Sequence, residues 1–261
     1  MGQALIALSP TVQNAGHSEM RQSIPILTYH QVDTPPPRGV PYRSLVVAPA
    51  AFARQMGLLK ALGYRGLSMT ALEPYLRGDR TGKVVGITLD DGYVNNLQHA
   101  LPVLQRNGFS ATCYIVSGQI GGSNVWDHGK GIAPRPLMND GQLKDWIGGG
   151  QEVGAHTRNH VDLLQADGSV AREEIAGCKR ELERRLGAPV RHFCYPYGLH
   201  RPEHAAMALD AGYVTATTTV RSRTHSADPL FELPRVPVLR STSLPVFWLK
   251  VATGYEDRKR S

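Results

Sequence analysis

Short apolar runs alternate with amphipathic patterns along most of the chain. The clearest run, residues 84–89, is apolar and rich in β-branched residues, which predicts a buried strand. Similar patterns predict strands at 25–32, 65–68, 111–116, 152–155, 190–194, 213–217 and 233–239. Helical spacing predicts helices at 49–62, 70–77, 94–107, 140–147, 170–186 and 202–211. Strands that alternate with helices predict an α/β protein with a parallel sheet.

Two adjacent carboxylates, Asp90 and Asp91, follow the strand 84–89 directly, and Gly92 comes next. Adjacent residues on a strand point to opposite faces, so both acids reach one cleft only where the chain leaves the strand, a bend that glycine permits. Two like charges this close need a cation or a proton between them. The alternative explanation is a turn that caps the next helix.

Two histidines, His156 and His160, follow the predicted strand 152–155. Their spacing lets both imidazoles face one point. Together with a carboxylate from another strand end, they supply two nitrogens and one oxygen to a divalent ion and leave a position for water, as catalytic zinc sites do. Taken alone, the histidine pair is also explained by surface polarity. Polar groups at several strand ends favour a sheet that closes into a barrel with its site at that mouth.

The segments TLDDG (88–92) and HTRNH (156–160) resemble the first two motifs of the polysaccharide deacetylases, the NodB-like or family 4 carbohydrate esterases. FCYPYG (193–198) resembles the third motif, in the same order. The segment 26–32 resembles the opening strand of the branch that acts on poly-N-acetylglucosamine. The resemblance covers residues 24–239 and implies a distorted (β/α)7 barrel.

The resemblance also implies the roles of individual residues. It makes Asp91 the metal ligand beside His156 and His160, with Zn²⁺ as the expected divalent ion, and it makes Asp90 the general base that accepts a proton from water. The backbone N–H of Tyr197 matches the family's oxyanion donor. Without the other motifs, Pro-Tyr-Gly would be interpreted as a turn only.

Two positions depart from the family pattern. Cys194 stands where the family commonly has an arginine that steadies the base, and a thiol cannot donate a planar fork. We therefore predict that Arg235 replaces this fork, with a solvent-facing arginine as the alternative. The family's Leu-x-His motif, which supplies the general acid, is not visible near residues 233–240. His30 is the best candidate for the acid, and a loop histidine bonded to backbone is the alternative.

Composition limits the class of partner. The chain has 261 residues, of which 41% are apolar and 20% charged, as expected for a globular domain. The net charge is +7, but the basic residues are dispersed and no basic stripe contains aromatics, so nucleic-acid binding is not expected. Basic residues 258–260 follow the apolar segment 246–249, which suggests weak peripheral contact with an anionic membrane, with a solvated terminus as the alternative.

The domain organisation predicted from these patterns is a flexible tail at 1–23, a deacetylase domain at 24–245 and a C-terminal tail at 246–261. The chain has three cysteines without CxxC spacing, which indicates reduced thiols. The apolar residues 4–8 lack a preceding basic residue, so they fail as a signal peptide, and no run is long enough for a membrane span. A cytoplasmic location is expected.

The predicted function is a metal-dependent hydrolase that removes N-acetyl groups from an amino sugar of a glycan or of a lipid-linked glycan precursor. Two alternatives stay open, a metal-dependent hydrolase of a small amide and a catalytically silent glycan-binding module. The proline-rich segment 33–39 and the irregular segment 118–136, which includes Trp126, are predicted to shape the cleft.

Overall fold

The structure, a computed structural model, describes residues 23–260, so the predicted tail 1–23 lies outside the described residues except for Ser23. The strands are β1 (Ile26–Tyr29), β2 (Gln31–Val32), β3 (Val46–Val47), β4 (Arg65–Leu67), β5 (Val84–Leu89), β6 (Thr112–Ile115), β7 (Glu152–Ala155), β8 (His192–Cys194), β9 (Thr215–Arg221) and β10 (Leu233–Pro237). The helices are α1 (Pro49–Ala61), α2 (Met69–Leu76), α3 (Leu101–Asn107), α4 (Asp140–Gly148), α5 (Gly168–Arg172), α6 (Cys178–Leu186), α7 (Pro202–Asp210) and α8 (Leu244–Ala252). A π-helical stretch, Asn96–Ala100, precedes α3, and another, Glu173–Gly177, joins α5 to α6.

Seven parallel strands close into a barrel. Its order is β5, β6, β7, β8, β9, β10 and β1, and β1 pairs back with β5. A helical segment separates each strand of this ring from the next strand of the ring along the chain, except that β9 continues into β10 through a loop. The predicted distorted (β/α)7 barrel is therefore confirmed. Its parallel strands bring their carboxyl ends to one mouth.

The distortion lies next to β5. The short strand β4 pairs with the first half of β5, where Arg65 lies opposite Val84. Strand β6 pairs with the other end of β5, at Thr88 and Leu89. The sequence predicted one strand over 25–32, but the structure has two. β1 belongs to the barrel, and β2 leaves it to pair with β3, because Tyr29 is followed by a bend.

Helix α2 fills the amino-terminal end of the barrel. Its Leu72 packs in a buried cluster with Tyr114 and Leu233, which come from β6 and β10. Gly86 of β5 permits this close approach, because a Cβ there would lie 2.8 Å from a methyl group of Leu72. The backbone N–H of Met69 donates to the Thr112 hydroxyl at 2.8 Å, which satisfies one free amide at the helix start. Access to the barrel interior is thus left to the opposite mouth.

The packed part of the chain extends beyond residue 245, where the sequence analysis ended the domain. The segment assigned to a C-terminal tail contains most of α8, whose Phe247 and Val251 are buried in the main hydrophobic core. Lys250 donates to the carbonyl of Pro237 at 2.9 Å and pairs with the buried Glu256. The apolar segment of α8 therefore contributes to the core, and Trp248 is its large exposed side chain.

No helix in the described range is long and apolar enough to cross a membrane. Cys113, Cys178 and Cys194 are all buried, and none is in a disulfide.

Candidate functional site

A cavity of about 400 Å³ opens at the carboxyl ends of the barrel strands. Its walls include His30, Asp90, His156 and Tyr195, which directly follow β1, β5, β7 and β8. Six of the seven site residues predicted from sequence line this cavity, and the seventh, Arg235, contacts one of them from inside the barrel.

The carboxylate of Asp91 faces both histidines of the second motif. Its Oδ1 lies 3.4 Å from Nε2 of His156 and 3.3 Å from Nε2 of His160. Neither contact has hydrogen-bond geometry, and this buried oxygen has no hydrogen-bond partner within the described residues. Burial raises the pKa of Asp91, but the two imidazoles, in their protonated form, outweigh burial and hold it well below its usual range. A buried, charged oxygen that lacks a hydrogen bond requires another partner.

These three atoms fit a divalent ion. Ligands about 2.1 Å from a tetrahedral ion lie roughly 3.4 Å apart, which matches the two distances from Asp91. Burial lowers the pKa of His160, which favours the neutral imidazole that binds metal. Burial also lowers the pKa of His156, but Cys194 and Asp91 outweigh burial and raise it, so a metal ion competes with a proton at this imidazole. The donor set of two nitrogens and one carboxylate oxygen is also the set that catalytic zinc sites use.

Each histidine is oriented by its surroundings. Nδ1 of His156 lies 2.7 Å from the carbonyl of Cys194, so this nitrogen carries the proton and Nε2 is left for a metal. His160 is stacked on Trp126 with ring centroids 4.5 Å apart, and its backbone N–H donates to the hydroxyl of Thr157 at 3.0 Å. Both imidazoles are therefore held in place without using their Nε2 atoms.

Asp90 is held by Arg235 through two parallel hydrogen bonds. Nη1 donates to Oδ1 and Nη2 to Oδ2, both at 2.8 Å, and both side chains are almost fully buried. Burial raises the pKa of Asp90, but the guanidinium more than offsets this effect and holds the pKa below the usual range. The contact that the sequence analysis expected between these residues is present.

Arg235 reaches Asp90 across the inside of the barrel. Its Nε donates to the carbonyl of Thr218 on β9, and its Nη1 also donates to Thr88 on β5. Its Nη2 lies 3.2 Å from the sulfur of Cys194 on β8. The small Cys194 side chain leaves space for the guanidinium of Arg235, which enters from β10. The arginine that binds Asp90 therefore lies on β10 and not at the β8 position where the family commonly has one.

A second group of potential ligands, Asp90, His156 and Cys194, lies beside the first. Both oxygens of Asp90 accept hydrogen bonds from Arg235, and the cysteine sulfur contacts the same guanidinium. A cation there would compete with a fixed positive charge. The group that contains Asp91 is therefore better suited to hold a metal ion than the group that contains Cys194.

Tyr197 and His30 complete the predicted set. Tyr197 lies in the turn Pro196–Gly198 with a φ of 60°, and its ring is 4.8 Å from that of His160. His30 lines the cavity, and its carbonyl accepts from the Asn96 side chain at 2.8 Å. The roles of Tyr197 as oxyanion donor and His30 as general acid remain predictions.

Sequence analysis did not identify Glu174, which organises the loop between the two histidines. One of its oxygens accepts from the backbone N–H groups of Arg158 and Asn159, both at 2.9 Å, and the other accepts from the Asn159 amide at 2.7 Å. Glu174 is buried and lies in the π-helical stretch Glu173–Gly177. A signal was available, because this acid occupies the apolar stripe that the buried residues Ala171, Ile175, Cys178 and Leu182 define.

Comparison with known proteins gives one consistent family. Residues 77–216 match the family described as polysaccharide deacetylase. Over 223 residues, the chain is 27% identical to YxkH of Bacillus subtilis (strain 168), which is assigned to the polysaccharide deacetylases; the match covers 85% of this chain and 73% of YxkH.

Several solved structures are similar over most of this chain, including the following two. One is the Streptococcus pyogenes deacetylase PplD in complex with acetate, with a TM-score of 0.77, 26% identity, and coverage of 88% of this chain and 99% of PplD. The other is IcaB from Ammonifex degensii, with a TM-score of 0.75 and 26% identity; the match covers 87% of this chain and 97% of IcaB. The family resemblance identified from the motifs is confirmed.

Proposed function

Because this chain belongs to the polysaccharide deacetylase family, we propose that it is a metal-dependent hydrolase that removes N-acetyl groups from an amino sugar of a glycan or of a lipid-linked glycan precursor. Membership of this family supports the assignment of deacetylation of an acetylated glycan as the activity of this chain. The observation that carries the finer proposal is the convergence of Asp91, His156 and His160 beside a carboxylate that is fixed by a guanidinium. Acetate, the acid that such a reaction releases, accompanies the similar S. pyogenes structure.

The proposed metal ligands are Asp91, His156 and His160. A divalent ion held by these residues, with Zn²⁺ as the expected ion, would polarise the acetyl carbonyl and lower the pKa of water toward about 7. Asp90 then accepts a proton from the attacking water. Arg235 keeps that carboxylate ionised and oriented through its two hydrogen bonds.

Bond breaking requires two further groups. The backbone N–H of Tyr197 is proposed to stabilise the negative charge that develops on the acetyl oxygen. The C–N bond breaks as the leaving nitrogen takes a proton, which we assign to His30 as general acid. The products are acetate and a free amino sugar. Aromatic side chains at the cavity, such as Trp126 and Tyr42, offer surfaces on which a sugar ring can stack.

The deciding experiment measures acetate release from a panel of N-acetylated sugars and glycans by the purified protein, first stripped of metal and then reloaded with Zn²⁺. We expect activity that requires metal and is lost in His160→Ala. His225→Ala is a matched control, because His225 pairs with Asp257 outside the cavity. Activity that is unaffected by chelation, or retained in His160→Ala, would contradict the proposed metal site.

The same panel separates the alternatives. Release of acetate from simple amides but from no sugar indicates a small-amide hydrolase. Binding of glycans without turnover by the metal-loaded protein indicates a glycan-binding module. The cytoplasmic location remains a proposal, supported by the three buried cysteines that form no disulfide.

A further inference from the structure

Two loops contribute apolar side chains to the same cavity that contains the metal ligands. One loop follows β2, and the other lies between Trp126 and α4. We call these side chains the apolar wall. Its members are Pro36, Pro37, Val40, Leu45, Ile132 and Ala133. None of them carries a side-chain hydrogen-bond donor or acceptor.

The two loops are tied to each other and to the barrel. Nη1 of Arg135 in the second loop lies 3.5 Å from Oδ2 of Asp33 in the first. Arg43 donates through Nε to the carbonyl of Pro36 at 2.6 Å, which closes the proline segment on itself. The N–H of Val94 donates to the carbonyl of Pro136 at 3.0 Å, just beyond the second loop's apolar residues. These contacts make the apolar wall part of the folded cavity.

The chemistry of this wall disfavours a sugar ring as its sole occupant. Sugar hydroxyls that lose water against proline and aliphatic side chains are left without hydrogen bonds, which costs free energy. A hydrocarbon group gains free energy from the same contact. We propose that the apolar wall binds a hydrocarbon group of the substrate while the amino sugar's amide lies at Asp91, His156 and His160. This inference rests on the proposed deacetylase function.

A hydrocarbon group has two possible sources, an aglycone on the sugar and an N-acyl chain longer than acetyl. One arm of the experiment compares methyl and hexyl glycosides of N-acetylglucosamine. The other compares the methyl glycosides of N-acetyl- and N-hexanoylglucosamine. Released amine is measured in all cases, so that kcat/KM is comparable between acyl groups. Burial of even two methylene groups corresponds to a gain of about tenfold or more, so we expect at least one longer substrate to exceed the methyl N-acetyl substrate by this factor.

A pair of variants tests whether the apolar wall causes the preference for substrates with a longer hydrocarbon group. Ile132→Ser should reduce the ratio of long to short substrate about tenfold, because it replaces apolar surface at the wall. Ile147→Ser is the matched control, since Ile147 is an exposed residue of α4 that does not line the cavity, and the ratio should be unchanged. An Ile132→Ser protein with the wild-type ratio would overturn the assignment of the preference to this wall.

The outcomes distinguish this inference from the proposed function. Amine release from the methyl N-acetyl substrate without any gain for either longer substrate overturns the inference and supports the function. If no substrate is hydrolysed, the proposed function fails. Calorimetric titration of the wild-type protein with methyl and hexyl glycosides then decides the inference, because equal affinities overturn it and tighter binding of the hexyl glycoside supports it.

Discussion

Removal of the Glu174 carboxylate should weaken metal binding although this residue is not a ligand. The carboxylate accepts three hydrogen bonds from the loop that carries His160. Within this loop, Thr157 and His160 have φ values of 62° and 57°, in a region that non-glycine residues seldom adopt. Such a conformation costs of order 1–3 kcal/mol for each residue, so the loop depends on contacts that hold it. Glu174→Leu leaves three donors without their acceptor.

The magnitude follows from these contacts. A hydrogen bond to a charged group contributes about 1.5–3 kcal/mol. In the variant, the loop relaxes, and metal binding must return it to the conformation that presents His160. If this costs the free energy of one such hydrogen bond, metal binding weakens roughly 10- to 150-fold, since 1.36 kcal/mol corresponds to a factor of ten. Glu174→Gln keeps an amide oxygen that can accept, so a smaller loss is expected.

The assay is competition for Zn²⁺ between the metal-free protein and a chelating dye, with circular dichroism to verify the fold. Glu173→Leu is the control, because Glu173 is a neighbouring exposed residue that pairs with Arg158 and Arg180 through side chains only. Its effect on metal affinity should stay within about threefold, as for an exposed ion pair. A folded Glu174→Leu protein that binds Zn²⁺ as tightly as the control would refute the reasoning.

Three further predictions concern the centre of the site. Asp90→Asn should keep its metal yet lose about 10²-fold or more in turnover, and near-normal turnover in the metal-loaded variant would remove Asp90 from the mechanism. The melting temperature of this variant should also fall, because Arg235 then lacks its buried, charged partner. Arg235→Lys should lower turnover with little effect on metal content, because lysine lacks the planar fork; turnover equal to wild type would show that the fork is dispensable. His156→Ala should lose most of its metal and keep its fold, and full occupancy by elemental analysis would contradict the assigned ligand set.

Local patterns were sufficient to predict the parts of the site that lie within one short segment. The pairs at 90–91 and 156–160 each follow a strand that the apolar pattern identified, and the β5 and β7 boundaries match the predicted ones. The contact of Arg235 with Asp90 was also predictable, because strands of one barrel point their ends at one mouth.

Other features depend on contacts between distant segments. Glu174 lies 15 residues from Asn159 in sequence, so its position in an apolar stripe indicated a buried acid but did not identify its partner. Most of helix α8 fell within the predicted C-terminal tail 246–261, and only its packing with the core shows its role. The division of residues 25–32 into β1 and β2 likewise depends on pairing with β3, which no local pattern specifies.

Backbone conformation explains how two adjacent acids serve one cavity. Asp90 directly follows β5 and accepts two hydrogen bonds from Arg235, whereas Asp91 has a φ of 76°. In a regular strand, these neighbours would point to opposite faces. The positive φ turns Asp91 toward the histidines, and Gly92, with a φ of 84°, continues the bend where a Cβ would lie 2.9 Å from Ile115. The rigid barrel therefore fixes the proposed base, and the turn directly after the strand fixes the proposed metal ligand, which places a carboxylate for each task one residue apart.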